Sequence, residues 1–168
     1  MKPMGWLVVR GASFLMIGGL FACGGGGGGG GGSESFTVTG LWSVAPTSKP
    51  GTPSPATPQC QQIAEAVGRF DGTVIDVRRE GDAVTGTETG SGLQFDGTAH
   101  DANQSFTLQT SQPNCTTVGA CTACGSVAAD FLDAGGDAAD VNVVVVATGN
   151  SGCPGQCTLA FQTEGSRS

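Results

Sequence analysis

Tyrosine is absent from the chain and histidine occurs once, as His100. Side chains that supply acid–base catalysis, phosphoryl chemistry or metal ligation are therefore scarce, and no cofactor is implied. Basic residues are few as well. Seven Lys and Arg against 14 Asp and Glu give a formal charge of −7, which excludes the basic footprint of a nucleic-acid binder. Long apolar runs are also missing: the stretch Gly11 to Ala22 covers 12 residues, whereas a membrane-spanning helix needs about 20. What the chain has in excess is glycine, 30 of 168 residues. That rules out an all-helical protein, because each glycine in a helix interior costs about 1 kcal/mol relative to alanine.

Lys2 and Arg10 followed by the short apolar run have the layout of an export signal over residues 1–22. Its end, Leu20-Phe21-Ala22-Cys23, resembles the lipobox of bacterial lipoproteins, although Phe21 is bulkier than the residue usual there. The resemblance implies cleavage before Cys23, lipidation of Cys23 and a membrane partner reached through the acyl chains. Cysteine arithmetic points the same way. Seven cysteines leave one over in an exported protein, and setting Cys23 aside leaves Cys60, Cys115, Cys121, Cys124, Cys153 and Cys157 for three disulfides of open connectivity. The processed chain would carry a net charge of −9, which disfavours docking on anionic lipid through protein charge. Nine glycines, Gly24 to Gly32, then Ser33-Glu34-Ser35, read as a tether spanning about 15–18 Å on average and about 30 Å at full stretch. Gly24 stands where an Asp would resemble an inner-membrane retention signal, so the resemblance implies the outer membrane of a bacterial cell envelope.

From residue 36 to residue 168 the pattern becomes period-two alternation, the mark of strands with one buried face. Phe36, Val38, Gly40, Trp42 and Val44 share one face. Residues 72–89 read as a hairpin around Ile75, Val77 and Val84, and Phe95 to Ala99 and Phe106 to Leu108 continue a four-strand meander. Val141 to Val146 reads as a strand covered on both faces or paired centrally, with Leu159 and Phe161 in the last strand. Residues 45–59 hold five prolines and form a loop. Gln61 to Val67 reads as a short helix with Cys60, Ile63 and Val67 on one side, and a second helix starts at Ser126, carries Val127 and Phe131 and stops at Gly135-Gly136. The expected fold is all-β: a small antiparallel meander or barrel of about seven strands with one or two short helices, stapled by disulfides. An immunoglobulin-like sandwich is the alternative.

Gly40-Leu41-Trp42, together with Val84-Thr85-Gly86-Thr87, resembles the lipocalin and avidin-like (calycin) barrels, in which a first-strand Gly-x-Trp packs across the barrel floor. In that likeness Arg167 takes the part of the late Arg that stacks on the Trp. The tyrosine-bearing second lipocalin motif is missing. Under the resemblance, Trp42, Phe95 and Phe106 would line a pocket for a small apolar ligand.

Other constellations have bland readings beside the chemical ones. Cys121-Thr122-Ala123-Cys124 with Cys153 and Cys157 has the spacing of a four-thiolate zinc site or a redox pair, yet export favours disulfides. Asp130, Asp133, Asp137 and Asp140 around Gly135-Gly136 suit either calcium or a solvated acidic loop; the loop is the reading taken, with no metal. His100 beside Asp101 lacks a nucleophile elbow and reads as a surface residue. The expected protein is a membrane-anchored envelope lipoprotein whose non-catalytic β domain acts as a structural or surface interaction module toward a protein partner. The alternative is a calycin-like binder of a small apolar ligand.

Overall fold

The computed structural model describes residues 36–47, 51–68, 70–150 and 153–168. The expected signal (1–22), Cys23 and the tether (to residue 35) lie outside the described residues. Among those described, no helix is long and apolar enough to cross a membrane.

Among the described residues, nine antiparallel strands follow in chain order: β1 (Gly40–Val44), β2 (Val74–Glu80), β3 (Ala83–Glu88), β4 (Gln94–His100), β5 (Ser105–Thr110), β6 (Asn114–Val118), β7 (Cys121–Leu132), β8 (Ala138–Gly149) and β9 (Gln156–Arg167). Among the described residues one α-helix, α1 (Pro58–Val67), sits between β1 and β2, and a single 3-10 turn, Asp101–Asn103, joins β4 to β5. Neighbouring strands hydrogen-bond in the order β1-β2-β3-β4-β5-β7-β8-β9, and β9 returns to β1 through pairs such as Trp42 with Arg167. Phe106 opposite Phe131 joins β5 to β7 and completes the ring, so eight strands close a barrel and β6 stands outside it as a hairpin arm on β7. Closure removes the free edges that a sandwich would keep; the sandwich alternative is not adopted.

Alternation places one apolar set inward along each of the eight barrel strands. On β8, Val141, Val143 and Val145 are buried, while Val144 points out and is 38% exposed. That strand is therefore paired centrally, not covered on both faces. Two expectations need correction beyond the strand count. The helix predicted from Ser126 is the lower half of β7, and β6 is a strand where the sequence pattern assigned no element. Val127 and Phe131 are four residues apart, a spacing that fits one helix face and also one strand face, and the barrel partner β5 selects the strand. β1 also starts later than expected: Phe36 to Thr39 run as an irregular segment and the strand begins at Gly40, whose φ of +148° few other residues tolerate.

The turns sort the molecule into two ends. The β2–β3, β4–β5 and β7–β8 connections, Phe36 and the C-terminus lie at the lower end. The described residues of 45–73 with α1, the β6–β7 hairpin and the described part of the β8–β9 connection lie at the upper end. Because β1 is short, the upper part of β9 lacks a neighbour on that side, and the proline-rich loop supplies one, with Ser54 and Thr158 exchanging two backbone hydrogen bonds. Helix α1 begins at Pro58, earlier than expected, because Thr57 caps it by accepting from the Cys60 N–H and proline suits the first turn.

Candidate functional site

The barrel interior and its two ends carry the features that could serve function. Inside, the aromatic rings touch in sequence. Phe95 meets Phe70 edge-on with centroids 5.6 Å apart, and Phe70 meets Phe131 at 6.3 Å. Phe131 stacks on Phe106 at 4.3 Å, and Trp42 stands edge-on to both at 5.4 and 5.3 Å. Such pairs add about 0.5–1.5 kcal/mol beyond the burial of their area. The three residues expected to line a pocket, Trp42, Phe95 and Phe106, are thus all buried in one core, bridged by Phe70 and Phe131. No sequence pattern marks Phe70, which ends a connection, and the four-residue spacing of Val127 and Phe131 suits a helix face as well as a strand face.

Helix α1 covers the upper end. Its apolar side, Cys60, Ile63, Ala64 and Val67, turns inward, and the helix approaches β7 closely enough that a side chain on Gly125 would meet Val67 at 2.8 Å and the backbone of β8 at 2.2 Å. Asn114 of β6 donates to the Val67 carbonyl at 2.7 Å. The disulfides gather at this end: Cys60–Cys157 ties α1 to β9, Cys121–Cys153 ties β7 to the β8–β9 connection, and Cys115–Cys124 crosslinks β6 to β7. Cys121 and Cys124 are three residues apart on a strand and so face opposite sides of the wall. That geometry forbids their pairing with each other or chelating one ion, and the four-thiolate and redox-pair readings of that motif are set aside.

At the lower end two arginines fasten Phe36 to Thr39 across the barrel floor. Arg79 forms a two-pronged ion pair with Asp101 at 2.7 and 2.9 Å, donates to the Phe36 carbonyl at 3.0 Å and lies 5.3 Å from the Phe36 ring centroid. Arg167 donates to the Thr37 carbonyl and pairs with Asp137 at 3.0 Å. Trp42 Nε1 donates to the Val38 carbonyl at 2.8 Å, and the Arg79 N–H donates to Thr39 Oγ1 at 3.2 Å. Each of four consecutive residues is thereby held by a different bond. The hydrogen bonds from Arg79 hold the Asp101 carboxyl below the usual carboxylate range, and the same bonds raise the arginine. Sequence reading missed Arg79–Asp101, because nothing local indicates that residues 22 apart will meet; alternation does place Arg79 on the inward face and Arg78 outside.

The remaining candidates are dispersed. Asp137 is taken by Arg167, Asp130 faces outward on β7 and Asp140 on β8, and Asp133 sits in a left-handed turn at φ +53°. Among the described residues no group of three or more His, Cys, Asp or Glu is placed to hold a metal ion. His100 ends β4, exposed, opposite Ser105. Compared with protein-family models, curated proteins and solved structures, the chain matches none.

Proposed function

We propose that this chain is a lipid-anchored protein of the bacterial cell envelope, held at the outer membrane through Cys23, whose barrel works from its exterior as a structural or interaction module without catalysis. The observation that carries the reading of the barrel is the interior itself: Trp42, Phe106 and Phe131 occupy the lower core in mutual contact, so the inward face is spent on packing. The ends support it. The segment that would follow the tether is bolted to the barrel floor by Arg79 and Arg167, so a pull on the tether would be borne by several bonds at once.

A binder of a small apolar ligand is the second reading, favoured by the inward placement of Trp42, Phe95 and Phe106 and by Arg167 lying over Trp42. Expression of the full chain in a Gram-negative host, followed by membrane fractionation and intact mass, tests the anchor. The expected product begins at Cys23 with acyl chains attached and pellets with the outer membrane, while Cys23→Ser releases it. A product with another N-terminus, recovered in the soluble fraction, would refute the assignment.

A further inference from the structure

The three disulfides occupy different sides of the wall. Cys60–Cys157 lies on the inner side with both cysteines buried, and Cys121, also buried on the inner face of β7, holds Cys153. Cys115–Cys124 lies on the outer side: Cys124 is an outward position of β7, and Cys115, directly opposite it on β6, is exposed. Its strand takes no part in closing the barrel, since the ring is completed by β5 against residues 128–131 of β7. Cys115–Cys124 is therefore the crosslink with a fully exposed cysteine and the one on a strand outside the ring, whereas both cysteines of Cys60–Cys157 are buried and Cys121–Cys153 pairs a buried cysteine with a half-buried one.

We propose that Cys115–Cys124 is a thiol-exchange site, opened by a dithiol reductant, and that its cleavage frees the β6 arm while the barrel stays closed. A thiolate of the reductant attacks Cys115 Sγ; the bond between the two cysteine sulfurs breaks, a mixed disulfide forms on Cys115, and Cys124 leaves as a thiolate that takes a proton from water. The second thiol of the reductant then attacks its own sulfur in the mixed disulfide and expels Cys115, which is protonated in turn. Two electrons pass to the protein and the reductant becomes a disulfide. Accessibility selects the bond, because in-line attack on a sulfur needs an open approach. Once freed, β6 is held by its ladder with β7 and by the Asn114 hydrogen bond to α1. Its departure bares the backbone groups of Cys121 to Gly125, an edge able to accept an added strand.

The full chain carrying Cys23→Ser, so that no seventh thiol competes, is titrated with dithiothreitol, quenched with iodoacetamide and mapped by peptide mass. Cys115 and Cys124 should be alkylated at least tenfold faster than Cys60 and Cys157, with amide hydrogen exchange rising in β6 and staying slow in β8 and β9. Prior opening of Cys121–Cys153, or loss of slow exchange in β8 and β9 together with the first bond, would overturn the proposal. The double variant Cys115→Ser/Cys124→Ser removes the reductant from the question. It should keep slow exchange in β8 and β9 and gain proteolytic cleavage between residues 112 and 120. A variant that unfolds, or one whose β6 remains as protected as the parent, would equally defeat it.

Discussion

Arg167, next to last in the chain, sets its guanidinium 5.7 Å from the centre of the Trp42 ring. The two residues are also register partners across β1 and β9, so the contact that seals the floor is made at the pair of strands where the last strand rejoins the first. Truncating Arg167 to alanine removes the ring contact, the bond to the Thr37 carbonyl and the pairing with Asp137 together. The expected loss is about 1–2 kcal/mol by urea denaturation. Lysine at 167 should recover only part of it, because an ammonium cannot lie flat on the ring while reaching both partners.

Acid should act on the floor through Asp101. Its folded pKa is depressed by the hydrogen bonds from Arg79, so the stabilisation is fully present above the unfolded value of about 3.9 and is lost as pH falls through the lower folded value. Asp101→Asn should lower the urea midpoint at neutral pH. The difference from the parent should shrink below about pH 4, a convergence that midpoints measured down to pH 2 would reveal. A constant gap across that range would show that the charge of Asp101 is irrelevant to stability.

Interior packing makes a separate prediction about ligands. In a Trp6→Phe background, Trp42 is the sole tryptophan, and its emission should be blue-shifted, since the side chain is fully buried. Trp42→Ala should cost about 3–5 kcal/mol, the usual penalty for deleting a buried aromatic. Lipids, quinones and aromatic compounds should leave the parent's emission unchanged. A saturable shift would instead favour the ligand-binding reading.

Glycine at 125 is required by proximity. An added methyl would strike the Val146 carbonyl oxygen at 2.2 Å and Val67 of α1 at 2.8 Å, so Gly125→Ala should destabilise by about 1–3 kcal/mol through overpacking. Gly136 provides the control. Nothing lies within 4 Å of its missing side chain, and Gly136→Ala should leave the melting temperature within a degree or two of the parent.

Strands with large residues on one face and polar residues on the other could be read directly. Ile75 and Val77 against Asp76 and Arg78, or Phe95 and Ala99 against Asp96 and His100, announce their inward set because the contrast is strong. In β7 the contrast fails. Alanine occupies both faces, at 123 and 129 inside and at 128 outside, so the alternation is muted, and the four-residue spacing of Val127 and Phe131 satisfies a helix as well. The threonine-rich β6 has too few large side chains to show a face. Of the expected interior set, Trp42 and Phe106 do meet, but the ring that joins them to Phe70, Phe131, came from the misread strand.

By itself the sequence determined the all-β class, the inward set of most strands, the apolar side of α1 and the availability of six cysteines for three bonds. These follow from short-range periodicity and composition, which any stretch of chain displays without knowledge of its neighbours. The tertiary structure alone decided that the sheet closes, which cysteines pair, and that Arg79 and Arg167 fasten Phe36 to Thr39. Each of these depends on residues far apart in the chain being brought together: β5 meets β7 across an intervening hairpin, and Cys60 finds Cys157 at a separation of 97 residues. Local side-chain patterns specify which face of a strand is buried, but the partner across the ladder is selected by packing the whole interior at once.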